Sequence, residues 1–270
     1  MKLIVTADDV GLDRGMTEGA IRAHVGGIVT ACSIVANGVD FDDAVARLRD
    51  VPALEVGVHL ALVEERALTT GALMPKNYVH YLLGRTLSAP TGRGAQRAPV
   101  EAELRAQIEK VLATGLRVTH VNGHQHLHML PRVFAIVVRL AAEYGIGYVR
   151  RVGDRGGRGG MARRISIAAL NALGRRVECA GHAGAVRAAA WPPHSTIGVM
   201  EAGHLSAERI VELLAHVQGV TELVTHPGVG VTRYPHWRYA WDDETRALCD
   251  PRVREAVAAR GIELVAPSHI

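Results

Sequence analysis

Thr119-His120-Val121-Asn122-Gly123-His124-Gln125-His126-Leu127-His128-Met129-Leu130-Pro131 is the stretch on which the fold turns. The β-branched run Val118, Thr119, Val121 predicts a strand over Arg117–Asn122. Pro131 fixes φ and commonly opens a helix, which predicts one from Pro131 to Tyr144, stopped by Gly145. Strand, loop and helix in that order form the repeating unit of a parallel α/β fold. The loop holds His124, His126 and His128 at alternate positions, with His120 just upstream. Imidazole is the commonest neutral side-chain metal ligand, so the first reading is a metal site and the plainer one a polar surface loop. If the segment is extended, His126 points away from His124 and His128 and serves either to orient the loop or to hydrogen-bond a metal ligand from behind.

The same unit recurs on both sides. Lys2–Ala7 reads as a buried strand ending in Asp8-Asp9, Ile28–Ala36 as a second closing in Asn37-Gly38, and Glu55–Leu60 as a third carrying His59 near its end. Helices are expected over Thr17–Val25, Phe41–Arg49 and Val100–Ala113. Residues 63–99 have poor periodicity and read as an insertion or lid over one face, with a short helix near Tyr78–Leu83. Further on, strands are expected at Ile146–Arg150, Thr196–Met200, Thr221–Thr225 and Ile262–Ala266. Helices are expected at Met161–Leu173, at Ala207–Val217 capped by Ser206, and at Asp242–Ala259. Alternation runs from end to end with no clear linker. That predicts one domain over residues 1–270 with a mostly parallel sheet, whose seven or eight strands favour closure into a barrel.

Composition bounds what such a barrel can do. With 48% hydrophobic and 4% aromatic residues, the core is built from Val, Leu, Ile and Ala. No apolar run approaches the ~20 residues that span a bilayer, and the start turns acidic too soon for a signal peptide. Cys32, Cys179 and Cys249 are odd in number and far apart, which argues against a disulfide framework and fits a reducing cytoplasm. Net charge is +4, but Arg150, Arg151, Arg155, Arg158, Arg163, Arg164, Arg175 and Arg176 crowd one Gly-rich segment. Only Tyr148 lies near them to stack on a base, so a solvated basic loop is favoured over a nucleic-acid surface.

In a parallel barrel the C-terminal strand ends open onto one face, where the active site sits. Asp8-Asp9, Asn37, His59, His124, Arg150 and His226 all fall at or just past such ends. Taken alone, each has a plainer reading: a turn for Asp8-Asp9 and Asn37, a core histidine for His59, a turn cap for His226. Together, one carboxylate and two imidazoles compose a three-ligand site that leaves a metal position open, which suits metal-assisted hydrolysis. Trp191, Trp237 and Trp241 are candidates for stacking on a ring of the substrate, or packing residues.

These residues carry a resemblance. Ala7-Asp8-Asp9-Val10-Gly11 resembles the N-A-D-D-F-G opening of the YdjC/ChbG-type carbohydrate deacetylases, and Gly57-Val58-His59-Leu60 their G-x-H-L/F segment. Thr119–Met129 is similar to their T-H-x-D-S-H-x-H-x-H-M stretch and His226-Pro227 to their late H-P. Val10 departs from the usual Phe, Thr225 from a Cys found in some members, and Asn122-Gly123 from the common Asp-Ser; the Val-Asn variant resembles the hopanoid-associated HpnK branch. The resemblance implies a fold like a distorted (β/α) barrel and hydrolysis of N-acetyl groups on amino sugars, with Asp9, His59 and His124 as ligands of one divalent ion and Asp8 as base. Zinc suits two nitrogens and one oxygen, though magnesium, manganese and cobalt are not excluded by ligand type. His226 is the candidate acid for the departing amine; Asn37, His128 and Arg150 are candidates for substrate, Arg150 also for the oxyanion. The expected partner is a small N-acetylated sugar, with nucleic acid disfavoured and a homodimer left open. Competing readings are a metal-dependent phosphoesterase and a non-catalytic metal- or RNA-binding protein.

Overall fold

Parallel pairing runs through the whole sheet of the computed structural model, which describes residues 1–76, 97–153, 155–158 and 194–270. Strands β1 (Lys2–Val10), β2 (Ala31–Ile34), β3 (Glu55–Leu60), β4 (Val118–Gly123), β5 (Tyr148–Val149), β6 (His194–Ile197), β7 (Val220–Thr225) and β8 (Glu263–Leu264) lie in the order β5-β4-β3-β2-β1-β7-β6, with β8 also beside β1. One edge of β1 is shared: Lys2 and Leu3 pair with β8, and from Thr6 onward the same strand pairs with β2. That sharing distorts the barrel. Among the described residues no strand pairing joins β5 to β6; instead Gly153 donates its N–H to Thr196 Oγ1 (2.8 Å) and Arg155 its N–H to Thr196 O (3.2 Å).

Strands buried on both faces read as continuous apolar runs, and Leu3, Ile4 and Val5 are all fully buried. Side chains alternate across the sheet. Leu3, Val5, Val56, Val58 and Val121 join the main core beneath the helices, while Ile4 packs inside the barrel with Ala31, Tyr148 and Val265. Above this apolar plug the interior turns polar: Thr6, Glu222 and Arg150 first, then Asp8, His59 and Asn122 at the strand ends. His120 lies across Gly57 so closely that a Cβ there would sit 2.3 Å from its ring.

The outer face is covered by α1 (Arg14–Val25), α2 (Phe41–Arg49), α3 (Arg97–Leu112), α4 (Pro131–Glu143), α5 (Ala207–Leu213), α6 (Trp241–Leu248) and α7 (Pro251–Ala259). Asp13, Ser206 and Asp250 accept backbone N–H bonds at the starts of α1, α5 and α7. A single helix over Asp242–Ala259 is corrected to two. Pro251 has no N–H to donate and disfavours helix at the residue before it, so Asp250 becomes the cap of a new helix. The second and fifth strands are shorter than the apolar runs that announced them. The start of the 63–99 insertion is a small hairpin in which Arg66 bridges Leu73 and Glu64 donates its N–H to Pro75 O (2.9 Å). The helices expected near Tyr78–Leu83 and at Met161–Leu173, and Cys179 and Trp191, lie outside the described residues. No helix among the described residues is long and apolar enough to cross a membrane.

Candidate metal centre

Adjacent residues of a strand face opposite sides of a sheet, yet Asp8 and Asp9 both face inward. The register explains it: Ala7 pairs with Cys32 and Val10 with Ile34, leaving two residues on β1 against one on β2. At this bulge Asp9 adopts φ 67°, a left-handed conformation that costs a non-glycine residue about 1–3 kcal/mol and persists where a site requires it.

Asp9 Oδ1 lies 3.2 Å from His59 Nε2 and 2.9 Å from His124 Nδ1. All three side chains are buried, and their donor atoms fall within 4.8 Å of one another, the spacing of a shared ion. The donor chemistry fits a divalent cation. Asn122 donates Nδ2–H to Asp8 Oδ1 (3.0 Å) and Ser33 Oγ (2.7 Å), so its carbonyl must face His59, whose Nδ1–H it accepts at 2.7 Å. The proton is thereby fixed on Nδ1 and the Nε2 lone pair is left for an ion. Ser33 in turn bonds His120 Nε2 (3.2 Å), and Thr119 Oγ1 meets the other ring nitrogen (3.0 Å). Burial pushes His120 down to about 4, so this supporting ring is neutral.

Asp8 belongs to a second network. Burial alone would raise its carboxyl, but the Arg150 guanidinium grips both of its oxygens and, with His59 nearby, holds it well below the usual carboxylate range. Arg150 is fully buried and also donates Nε–H (2.9 Å) and Nη2–H (2.7 Å) to Glu222 Oε1. Glu222 further accepts from Thr6 Oγ1 (2.7 Å) and Tyr148 Oη (2.9 Å). His226 follows β7, with Nε2 3.9 Å from Asp9 Oδ2 and its ring 5.4 Å from that of Tyr239.

The histidine loop is not extended. His124–Met129 is a 3₁₀ turn with Gln125 and His126 at φ 49° and 59°, so the alternation argument for His126 does not apply. His128 is buried and donates Nε2–H to Arg150 O (3.0 Å). It packs on Gly123, where a Cβ would meet Nδ1 at 2.8 Å. Asn37 donates Nδ2–H to Arg66 O (3.0 Å), tying the turn after β2 to the 63–76 hairpin. Trp241 is buried among Leu12, Met16 and Val35, whereas Trp237 is half-buried at the site, stacked on Tyr234 (4.5 Å) and 5.2 Å from the His124 ring. Sequence reasoning missed Glu64, which touches His124; its position just past β3, on the same face as His59, was the available signal. It also missed Glu222, a charged residue in mid-strand.

Glu244 holds the His226 loop from behind. Burial pushes its carboxyl up to about 8, although the backbone N–H groups of His226 (2.5 Å), Leu205 (3.3 Å) and Gly203 pull the other way. A folded-state value above the ordinary 4.5 means its contribution to stability is complete below pH 4.5 and lost as pH rises through 8. Glu244→Gln keeps an acceptor for His226 and removes the titration. The melting temperature of the parent should therefore fall relative to Glu244→Gln between pH 5 and 8.5, by several degrees. Parallel melting profiles over that range would contradict it.

Fold and site together define a parallel α/β-barrel protein with a buried Asp/His/His triad at the strand ends, spaced so that it could hold a metal ion. Residues 2–259 match the sequence profile of YdjC-like proteins, and the chain belongs to that family. A carbohydrate deacetylase of Oceanobacillus iheyensis is 35% identical over 150 residues, covering 54% of this chain and 63% of that protein. A chitooligosaccharide deacetylase of Escherichia fergusonii is 36% identical over 146 residues, 53% of this chain and 57% of its own. The chain thus spans less than two thirds of the length of these curated relatives. Among solved structures, a candidate cellobiose-phosphate cleavage protein of Enterococcus faecalis aligns over 99% of this chain and 98% of its own, with a TM-score of 0.71 at 21% identity. A lactam utilization protein of Thermus thermophilus aligns over 98% and 100%, at 0.52 and 14%. Both share the fold.

Proposed function

We propose that this chain is a divalent-metal-dependent hydrolase that removes N-acetyl groups from an amino sugar or sugar conjugate. The observation that carries the reading is the convergence of Asp9 Oδ1, His59 Nε2 and His124 Nδ1, with a second carboxylate, Asp8, beside them and bonded elsewhere. The names of the curated relatives supply the substrate class.

Asp9, His59 and His124 would hold a divalent ion, zinc by their two nitrogens and one oxygen, which when bound would supply Lewis acidity to the acetamide carbonyl and the attacking water. Asp8 takes a proton from that water. Held far below the usual range, its carboxylate is a weak base, which suits only a water already made acidic. The oxygen so freed bonds to the carbonyl carbon, and the C–N bond then breaks. The departing amine needs a proton, because an amide anion is too poor a leaving group, and His226 delivers it. Burial pushes the His226 ring below its ordinary value while Asp9 and Asp8 pull it back, so once protonated it gives its proton up readily. Arg150, with Asp8 on one edge and Glu222 on the other, aims the base rather than binding substrate. That occupation also weighs against the phosphoesterase reading, which wants a free guanidinium at the ion. His128 supports the loop through Arg150 O, and Asn37 shapes the rim. The Tyr234–Trp237 pair offers an aromatic face for a sugar ring.

The test is acetate release from N-acetylglucosamine and its oligomers by metal-loaded and chelator-treated protein, with p-nitrophenyl phosphate in parallel. Acetate formed with the metal and not without it is expected. Phosphate release in the absence of acetate from any N-acetylated sugar would overturn the reading.

A further inference from the structure

Glu64 makes no part of the triad, yet four side chains converge on its carboxylate. Oε2 accepts from His124 Nε2 (3.2 Å) and Gln125 Nε2 (3.2 Å); Oε1 accepts from His236 Nε2 (2.9 Å) and Trp237 Nε1 (3.3 Å). Its own backbone is held at φ 66°, and two of the residues around the facing aromatic turn, Tyr234 and Arg238, are left-handed as well, at 60° and 56°. Three non-glycine residues in this costly conformation at one rim mark a place where the chain is held by its contacts. Next door, Tyr234 Oη donates to Glu65 Oε1 (2.6 Å), a second bond between the same two segments.

The two nitrogens of His124 therefore have different neighbours: Asp9 at Nδ1 and Glu64 at Nε2. An imidazole ligand binds metal through one nitrogen and is oriented by a hydrogen bond from the other, commonly to a carboxylate. His59 shows the same arrangement in mirror form, with Asn122 at Nδ1 and the ion side at Nε2. We propose that Glu64 is a positioning residue of the metal centre: it holds the proton of His124 on Nε2, so that Nδ1 faces the ion, and with its other oxygen fastens the Tyr234–Trp237 aromatic face above that ion. The proposal rests on the triad reading but not on the identity of the sugar. Rim and metal site are thereby joined through one carboxylate, so a change at residue 64 alters metal affinity as well as the setting of Trp237.

The experiment measures zinc affinity by chelator competition for the parent, Glu64→Gln, Glu64→Ala and Asp9→Ala, with long-range ¹H–¹⁵N NMR of the zinc-loaded proteins to assign which His124 nitrogen carries the proton. Glutamine retains an acceptor, so Glu64→Gln should stay within about threefold of the parent. Glu64→Ala should weaken zinc binding by about 10–100-fold, the usual cost of removing such a partner. It should also disturb the His124 Nε2–H and Trp237 Nε1–H resonances together. A merely structural role would leave the tautomer unchanged. Glu64→Ala binding zinc as tightly as the parent, with the same His124 nitrogen protonated, overturns the proposal. So does a parent spectrum in which zinc sits on Nε2. Failure of the parent itself to bind zinc stoichiometrically, or binding unaffected by Asp9→Ala, would instead remove the triad reading beneath it.

Discussion

Asp9→Ala, His59→Ala and His124→Ala should each lose bound metal and activity together, with turnover down by about 10³-fold or more. Lewis-acid stabilisation is worth several kcal/mol, and each 1.36 kcal/mol is tenfold in rate. The size follows from how little redundancy the site has: three donor atoms within 4.8 Å are all it offers among the described residues. Removing any one leaves two, and removing Asp9 also leaves His59 and His124 without the carboxylate they share. Dialysis against a chelator should reproduce the loss in the parent and be reversed by added metal, whereas the variants should not recover. Metal analysis beside acetate release checks this. Full metal occupancy in any two of the variants refutes the triad.

How far these residues could be read without coordinates depended on what local pattern records. Buried strands leave short apolar or β-branched runs, so β1, β3, β4 and β7 are plain, and their ends point to Asp9, His59, His124 and His226. Side-chain direction was harder. Asp8 and Asp9 share a face only because a bulge inserts one residue and Asp9 turns left-handed, and neighbouring aspartates carry no signal of that. The alternation that would turn His126 away holds only for an extended segment, and the chain tightens into a 3₁₀ turn from His124 onward. Arg150 reads as a residue for substrate because its partner is remote: Glu222 stands 72 positions away, inside an otherwise uncharged strand. A lone charge in mid-strand is the mark of a buried ion pair, and it becomes legible once the strands are known to be parallel. Asn122 shows the same limit. Its departure from Asp is visible in the sequence; that an amide there can donate to Asp8 while accepting from His59 is visible only in space.

Asp8→Asn should keep its metal and its fold and lose about 10²–10⁴-fold in kcat, the usual worth of a general base. The charge arrangement makes this separation possible. In the parent, one buried guanidinium faces two buried carboxylates, Asp8 and Glu222, so replacing Asp8 by an amide leaves a balanced Arg150–Glu222 pair. Asn122 then has an amide oxygen to donate to in place of a carboxylate, and the His59 tautomer is preserved. Arg150→Met does the opposite. It leaves both buried carboxylates without their counter-charge, and breaking a buried pair in that way costs roughly 3–5 kcal/mol. That variant should melt many degrees lower and be inactive for want of a settled fold, while Asp8→Asn melts near the parent and is inactive for want of a base. Melting temperature, metal content and kcat, measured on both proteins, separate the two effects. An Asp8→Asn protein that hydrolysed N-acetylglucosamine oligomers at the parent rate would take Asp8 out of the chemistry and leave Arg150 and Glu222 as scaffold alone.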